Sequence, residues 1–255
     1  MAVITILRLF HARLYTIFSV FQPLKSNSEP EPIIFLFPAR DQLFPVEAWV
    51  ILALSADYLA LSRTCRILRI DQYKARDGNR HEHLRVQVEL NSPNEQSRRG
   101  WILVDCNPPS NGNDRPLSAV NLRTFPGAFD FVFIPKKGNQ NIIPRVLVDD
   151  VDVVRKLTIP SNVSFSVADL AALLQQASEL EGRHASAIYQ SVRDEYQDCV
   201  ETLGRAYTQR RKHLGLEIPC SLTPNDIETL REKWSERRKQ VSEIMTMQEV
   251  RTSYR

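Results

Sequence analysis

An α+β fold is predicted: a small, mainly antiparallel sheet with a helix before it, followed by a helical C-terminal hairpin. Three observations predict it. Residues 83 to 90 (HLRVQVEL) place Leu84, Val86, Val88 and Leu90 on one side of an extended chain. Residues 46 to 61 form a long Ala- and Leu-rich run opened by Pro45, which reads as a buried helix. The last third carries two apolar seams at three- and four-residue spacing: Tyr189, Val192, Tyr196, Cys199, Leu203 and Ala206, then Ile227, Leu230, Trp234, Val241 and Ile244. Arg237 falls where one more apolar residue of the second seam would stand.

The elements follow in order. Residues 1 to 32 read as a basic amphipathic extension with a Pro-rich linker. Arg8, His11, Thr5, Thr16 and Ser19 share one side of a helix, and Leu7, Phe10, Leu14, Ile17 and Phe21 the other. Charges inside the apolar run oppose a membrane span, whereas residues 3 to 21 suit a mitochondrial presequence or a membrane-surface anchor. The Pro-rich linker sets this extension apart from residues 33 to 160, the predicted α+β core, which opens on a short strand at 33 to 37 (IIFLF).

Residues 65 to 73 alternate only in part, and 101 to 105 (WILVD) form a further strand. With 83 to 90 between them they read as a meander, turned first at Asp77-Gly78. Residues 129 to 134 and 142 to 148 flank KKGNQN as a hairpin, with Pro144 forcing the second strand to an edge. Residues 149 to 160 hold a short segment of undecided type. Residues 161 to 255 are read as helical. Ser166 with Asp169 spells a capping box before LAALLQQASEL. Thr223, Pro224 and Asp226 supply the cap, first and third positions of the last helix. The two seams then predict helices over 186 to 208 and 223 to 248, reversed at Gly215 and Pro219.

Composition narrows function. A net charge of +3, with both signs mixed along the chain, gives no footprint for nucleic acid. Only 8 glycines leave little material for phosphate loops, and no cofactor-binding signature is present, so no cofactor is expected. Cys65, Cys106, Cys199 and Cys220 form no CxxC pair, which suits free thiols in a reducing, cytoplasmic setting, or a mitochondrial one if the extension is a presequence.

Candidate chemistry is sparse. His81 and His83 stand two apart at the mouth of a strand, so both can leave the same face as metal ligands, with Asp71 or Asp105 from neighbouring strands as a third. The competing reading is a solvated turn. Asp149, Asp150 and Asp152 make a small acidic cluster without a phosphate loop. Arg205, Arg210, Arg211, Lys212 and His213 suit a helix C-terminus or an anion patch.

RILRIDQYK, HEHLRVQVEL and GWILVD, followed by SFSVADLAALLQ, resemble a group of uncharacterised fungal proteins whose order of elements is similar to permuted papain-like folds, the LRAT-like and NlpC-like groups. The resemblance implies a histidine base, His81 or His83, paired with a cysteine nucleophile. In that group a helix after the histidine strand carries an Asn-Cys pair, and no such pair follows SVADLAALLQQ here. Cys199, in YQDCVE, is the remaining candidate, so the resemblance implies a member that lacks its nucleophile. The reading preferred on sequence is therefore a non-catalytic intracellular protein. It would contact another protein, or a second copy of itself, through the helices around Tyr196 and Trp234. A cysteine-dependent hydrolase or acyltransferase is the alternative.

Overall fold

The computed structural model describes residues 42–75, 82–90, 98–106, 130–135, 151–177, 184–205, 209 and 223–253. Every described residue belongs to the compact unit spanning 33–255. The N-terminal extension, the 33–37 strand, the 142–148 strand, His81, Asp149, Asp150 and Cys220 lie outside the described residues.

The first strand, β1 (Gln42–Pro45), runs directly into α1 (Val46–Ala53). Pro45, at φ −54°, occupies the boundary where its missing N–H costs nothing. α1 buries Val46, Trp49, Val50 and Ala53, one stripe of a 3.6-residue period. The helix expected to continue to Leu61 breaks after Ala53. The Ser55 hydroxyl donates to the Leu52 carbonyl (2.8 Å), a local bond that competes with helix continuation. A turn then leads into α2 (Leu59–Thr64).

Among the described residues seven antiparallel strands follow the order β1-β5-β4-β3-β2-β6-β7. The expected meander is its centre: β2 (Cys65–Ala75), β3 (Glu82–Leu90) and β4 (Arg98–Cys106). β5 (Asp130–Ile134) joins β4 to β1. The undecided segment becomes β6 (Val151–Thr158), paired with β2. The imperfect alternation of 65–73 has a physical cause. The β2–β3 register shifts between Ile67 and Arg69, leaving Leu68 as an extra residue whose carbonyl accepts from Ile159 N (2.9 Å). Ile67 and Ile70, three apart, thereby reach the same face, opposite Val88 and Val86.

That face is the core. Ile67, Ile70, Leu84, Val86, Ile102, Val104, Val132 and Leu157 form one buried cluster with Trp49 of α1 and with residues of the C-terminal helices.

α3 (Val167–Ala177) opens on the predicted capping box. Asp169 N donates to Ser166 Oγ (3.2 Å), and Ser166 N donates to Asp169 Oδ2 (3.0 Å). α4 (His184–Glu195) corrects the helix expected over 186 to 208. It stops at Glu195, turns through Tyr196–Cys199, and re-enters the sheet as β7 (Val200–Leu203) beside β6. Val200 and Thr202 are β-branched, and the edge of β6 offers them a ladder. Gly204 completes the joint: its N–H donates to Val154 O (2.9 Å), and a Cβ there would strike the Val153 carbonyl.

α5 (Pro224–Ser253) is 30 residues long and begins where the sequence places it. Asp226 N donates to Thr223 Oγ1 (3.2 Å), and Thr223 N donates to Asp226 Oδ2 (3.0 Å). Ile227, Leu230, Trp234 and Val241 are buried, and Arg237 instead bonds Gln175 of α3 (2.8 Å). α5 packs on both α3 and α4.

Candidate functional site

The second face of the sheet carries the histidine. Strand alternation turns His83 away from the helices, between Tyr73 of β2 and Asp105 of β4, its partners in register. Its ring lies parallel to that of Tyr73, with centroids 4.8 Å apart and planes 6° from parallel. His83, Asp71 and Asp105 are each about 1% exposed. Arg85 stacks on Trp101, 3.6 Å from the ring centre, and Arg69 approaches the same ring at 5.1 Å. Arg69 also holds Asp71 Oδ2 (2.7 Å), while Asp71 Oδ1 meets no donor among the described residues. Burial pushes the Tyr73 phenol above its ordinary value, against the pull of a hydrogen bond with Arg85.

An imidazole beside a phenol and a carboxylate is a set able to move protons, provided a substrate reaches it. The sequence signal for this set was alternation read for its polar half. Arg69-x-Asp71-x-Tyr73, His83-x-Arg85 and Trp101-x-Leu103-x-Asp105 each repeat every second residue. The metal reading drew on the same strands. Among the described residues no three His, Cys, Asp or Glu side chains gather closely enough to hold a metal ion. Asp152 is buried in β6.

The thiols lie elsewhere. Cys65 begins β2 on the helix-covered face, opposite Leu90, and burial pushes it up to about 12 against the pull of a Thr64 hydrogen bond. Cys199 lies in the turn after α4, packed against the core cluster; burial first, then the Asp198 charge, raises it to about 11. Both are thiols near neutral pH, whereas the nucleophile is a thiolate. The structure does not bring His83 and Cys199 together, because they belong to opposite faces of the sheet. The Cys106 side chain lies outside the described residues.

The seams do meet. Tyr196, Phe165 and Trp234 form an aromatic trio, with Trp234 edge-on to Tyr196 (6.2 Å) and to Phe165 (5.9 Å). Trp234 Nε1 donates to Asp169 O (2.9 Å). Arg238 covers the Trp234 ring at 4.3 Å and donates to Tyr196 OH and to Glu195, which Arg231 also binds (3.1 Å). Burial alone would raise the Glu195 carboxyl, but the two arginines outweigh it and hold the group below its ordinary value. Trp234 is thus consumed inside the protein.

β7 is different. Its only described strand neighbour is β6, and Val200 and Leu203 are 58% and 51% exposed. Since Gly204 N points to β6, alternation sends the N–H groups of Glu201 and Leu203 to the outer edge. Of the basic run, Arg205 is described and exposed, and 210–213 lie outside the described residues.

No protein-family model, no curated protein and no solved structure matches the chain. No described helix is long and apolar enough to cross a membrane.

Proposed function

We propose that this chain is a non-catalytic protein-contact module working through its C-terminal region, with the outer edge of β7 as the contact surface. The observation that carries the reading is β7 itself. It is a four-residue strand with an outer edge open among the described strands and two large apolar side chains more than half exposed. An open strand edge is a ready template for an extended segment of a partner, whose main chain would bond Glu201 and Leu203. The raised values of Cys65 and Cys199 favour this reading over a cysteine-dependent hydrolase.

Leu203→Pro tests it. Proline removes an outward N–H while leaving the bonds toward β6 at Val200, Thr202 and Gly204 in place. Full-length chain and variant, matched in melting temperature, are compared by affinity capture with quantitative mass spectrometry. The reading predicts that the specific partner set is lost with Leu203→Pro and kept with a Lys233→Ala control. The same partner set on both variants contradicts it.

A further inference from the structure

A cleft of about 480 Å³ lies between α2, the turn before α3, and α5, walled by charged and hydroxyl side chains. Three cations face it, Arg63, Arg238 and Lys239, against one carboxylate, Asp169. Asp169 is occupied: its Oδ2 accepts from the Ser166 N–H and hydroxyl. Arg238 is occupied by Glu195 and Tyr196. Arg63 and Lys239, on different helices, have no carboxylate partner among the described residues. Nor is the hydroxyl of Ser164, Ser235 or Ser242, which line the same cleft, engaged by another described residue.

An anion in this depression is attracted by Arg63 and Lys239 and opposed by the charge of Asp169, which its hydrogen bonds with Ser166 do not remove. The α3 N-terminus adds little to the count, because Asp169 already complements it. The space exceeds what a bare phosphate needs, and it is an open, polar depression rather than an enclosed apolar cleft. Its lining names the rest of the ligand. Serine hydroxyls in place of apolar walls suit a molecule that is itself rich in hydroxyls.

We propose that this cleft binds a phosphorylated polyol, with the phosphate held by Arg63 and Lys239 and the polyol hydroxyls bonded by Ser164, Ser235 and Ser242. The chemistry is shared by a free sugar or inositol phosphate and by the headgroup of a phosphoinositide.

The test is calorimetric titration of the full chain with inositol trisphosphate, inorganic phosphate and uncharged inositol, beside sedimentation with phosphatidylcholine vesicles containing a phosphoinositide. Expected are saturable binding of inositol trisphosphate, weaker binding of phosphate and none of inositol. Arg63→Gln and Lys239→Gln should each weaken binding about tenfold, the loss of one charge-assisted hydrogen bond, with the melting temperature unchanged. Binding should also weaken with added salt, and below pH about 6 as the phosphate dianion takes up a proton and becomes a monoanion. Soluble binding without vesicle binding assigns the free source; vesicle binding lost in both variants assigns the headgroup. Absence of saturable binding to both inositol trisphosphate and the phosphoinositide vesicles, or binding that the Arg63→Gln/Lys239→Gln double variant leaves unchanged, overturns the proposal.

Discussion

The two apolar seams of the C-terminal third have nearly the same spacing, yet one is buried and the other splits. In α5, Ile227, Leu230, Trp234 and Val241 all turn inward. In the first seam, Tyr189 and Val192 are buried, Tyr196 and Cys199 pack partly against the core, and Leu203 ends exposed on an edge strand. The difference is local. Thr223 and Asp226 cap α5 from outside the seam, whereas the first seam runs into a turn where Asn162 of another segment holds Asp198 (3.2 Å). Spacing permits a helix; the flanking polar bonds decide how far it runs. The apolar residues stranded beyond Cys199, Val200 and Leu203, are the large exposed side chains of β7.

The buried seam gives the largest expected effect. Trp234→Ala removes a fully buried indole, its aromatic neighbours' contacts and the bond to Asp169 O. It should cost about 3–5 kcal/mol in denaturant unfolding. A cost near zero would show that α5 does not depend on this seam. Gly204→Ala acts on the split seam. The added methyl would meet the Val153 carbonyl and push β7 off β6. A loss of about 1–3 kcal/mol is expected, with faster amide exchange confined to β7 and the β6 residues facing it. Unchanged exchange there would refute the close approach.

Between the seams, Glu195 joins α4 to α5. Its carboxyl is held below the ordinary value of about 4.3. Its contribution is therefore complete above that value and is lost as pH falls through the lowered one. Glu195→Gln should cost about 1 kcal/mol at pH 7, and the gap to wild type should begin to narrow as pH falls to the ordinary carboxylate value and close through the lowered one. A gap independent of pH would assign the effect to packing. The smallest change is expected from Thr223→Ala, about 0.5–1 kcal/mol, since the cap is exposed.

The legible parts of the fold were those specified by neighbours in sequence. The capping boxes at Ser166 and Thr223 and the alternation of Leu84, Val86, Val88 and Leu90 needed no distant partner. β6 was not legible, because the extra residue Val154 breaks its alternation, and Val153, Arg155 and Leu157 find their register only beside β2. The split of residues 46 to 61 hung on one serine hydroxyl. On the polar sheet face His83 was visible as a candidate, with Asp71 and Asp105 as neighbours. Arg85 and Trp101 were not, because their pairing joins two strands.

Hydrogen exchange resolved at single amides of β7 reports whether its outer edge is open. In the isolated chain an alternating pattern is expected: Val200, Thr202 and Gly204 slow, Glu201 and Leu203 fast. Slow exchange at Glu201 and Leu203 in the isolated chain would mean that the edge is already covered, and would contradict the contact surface proposed for this protein.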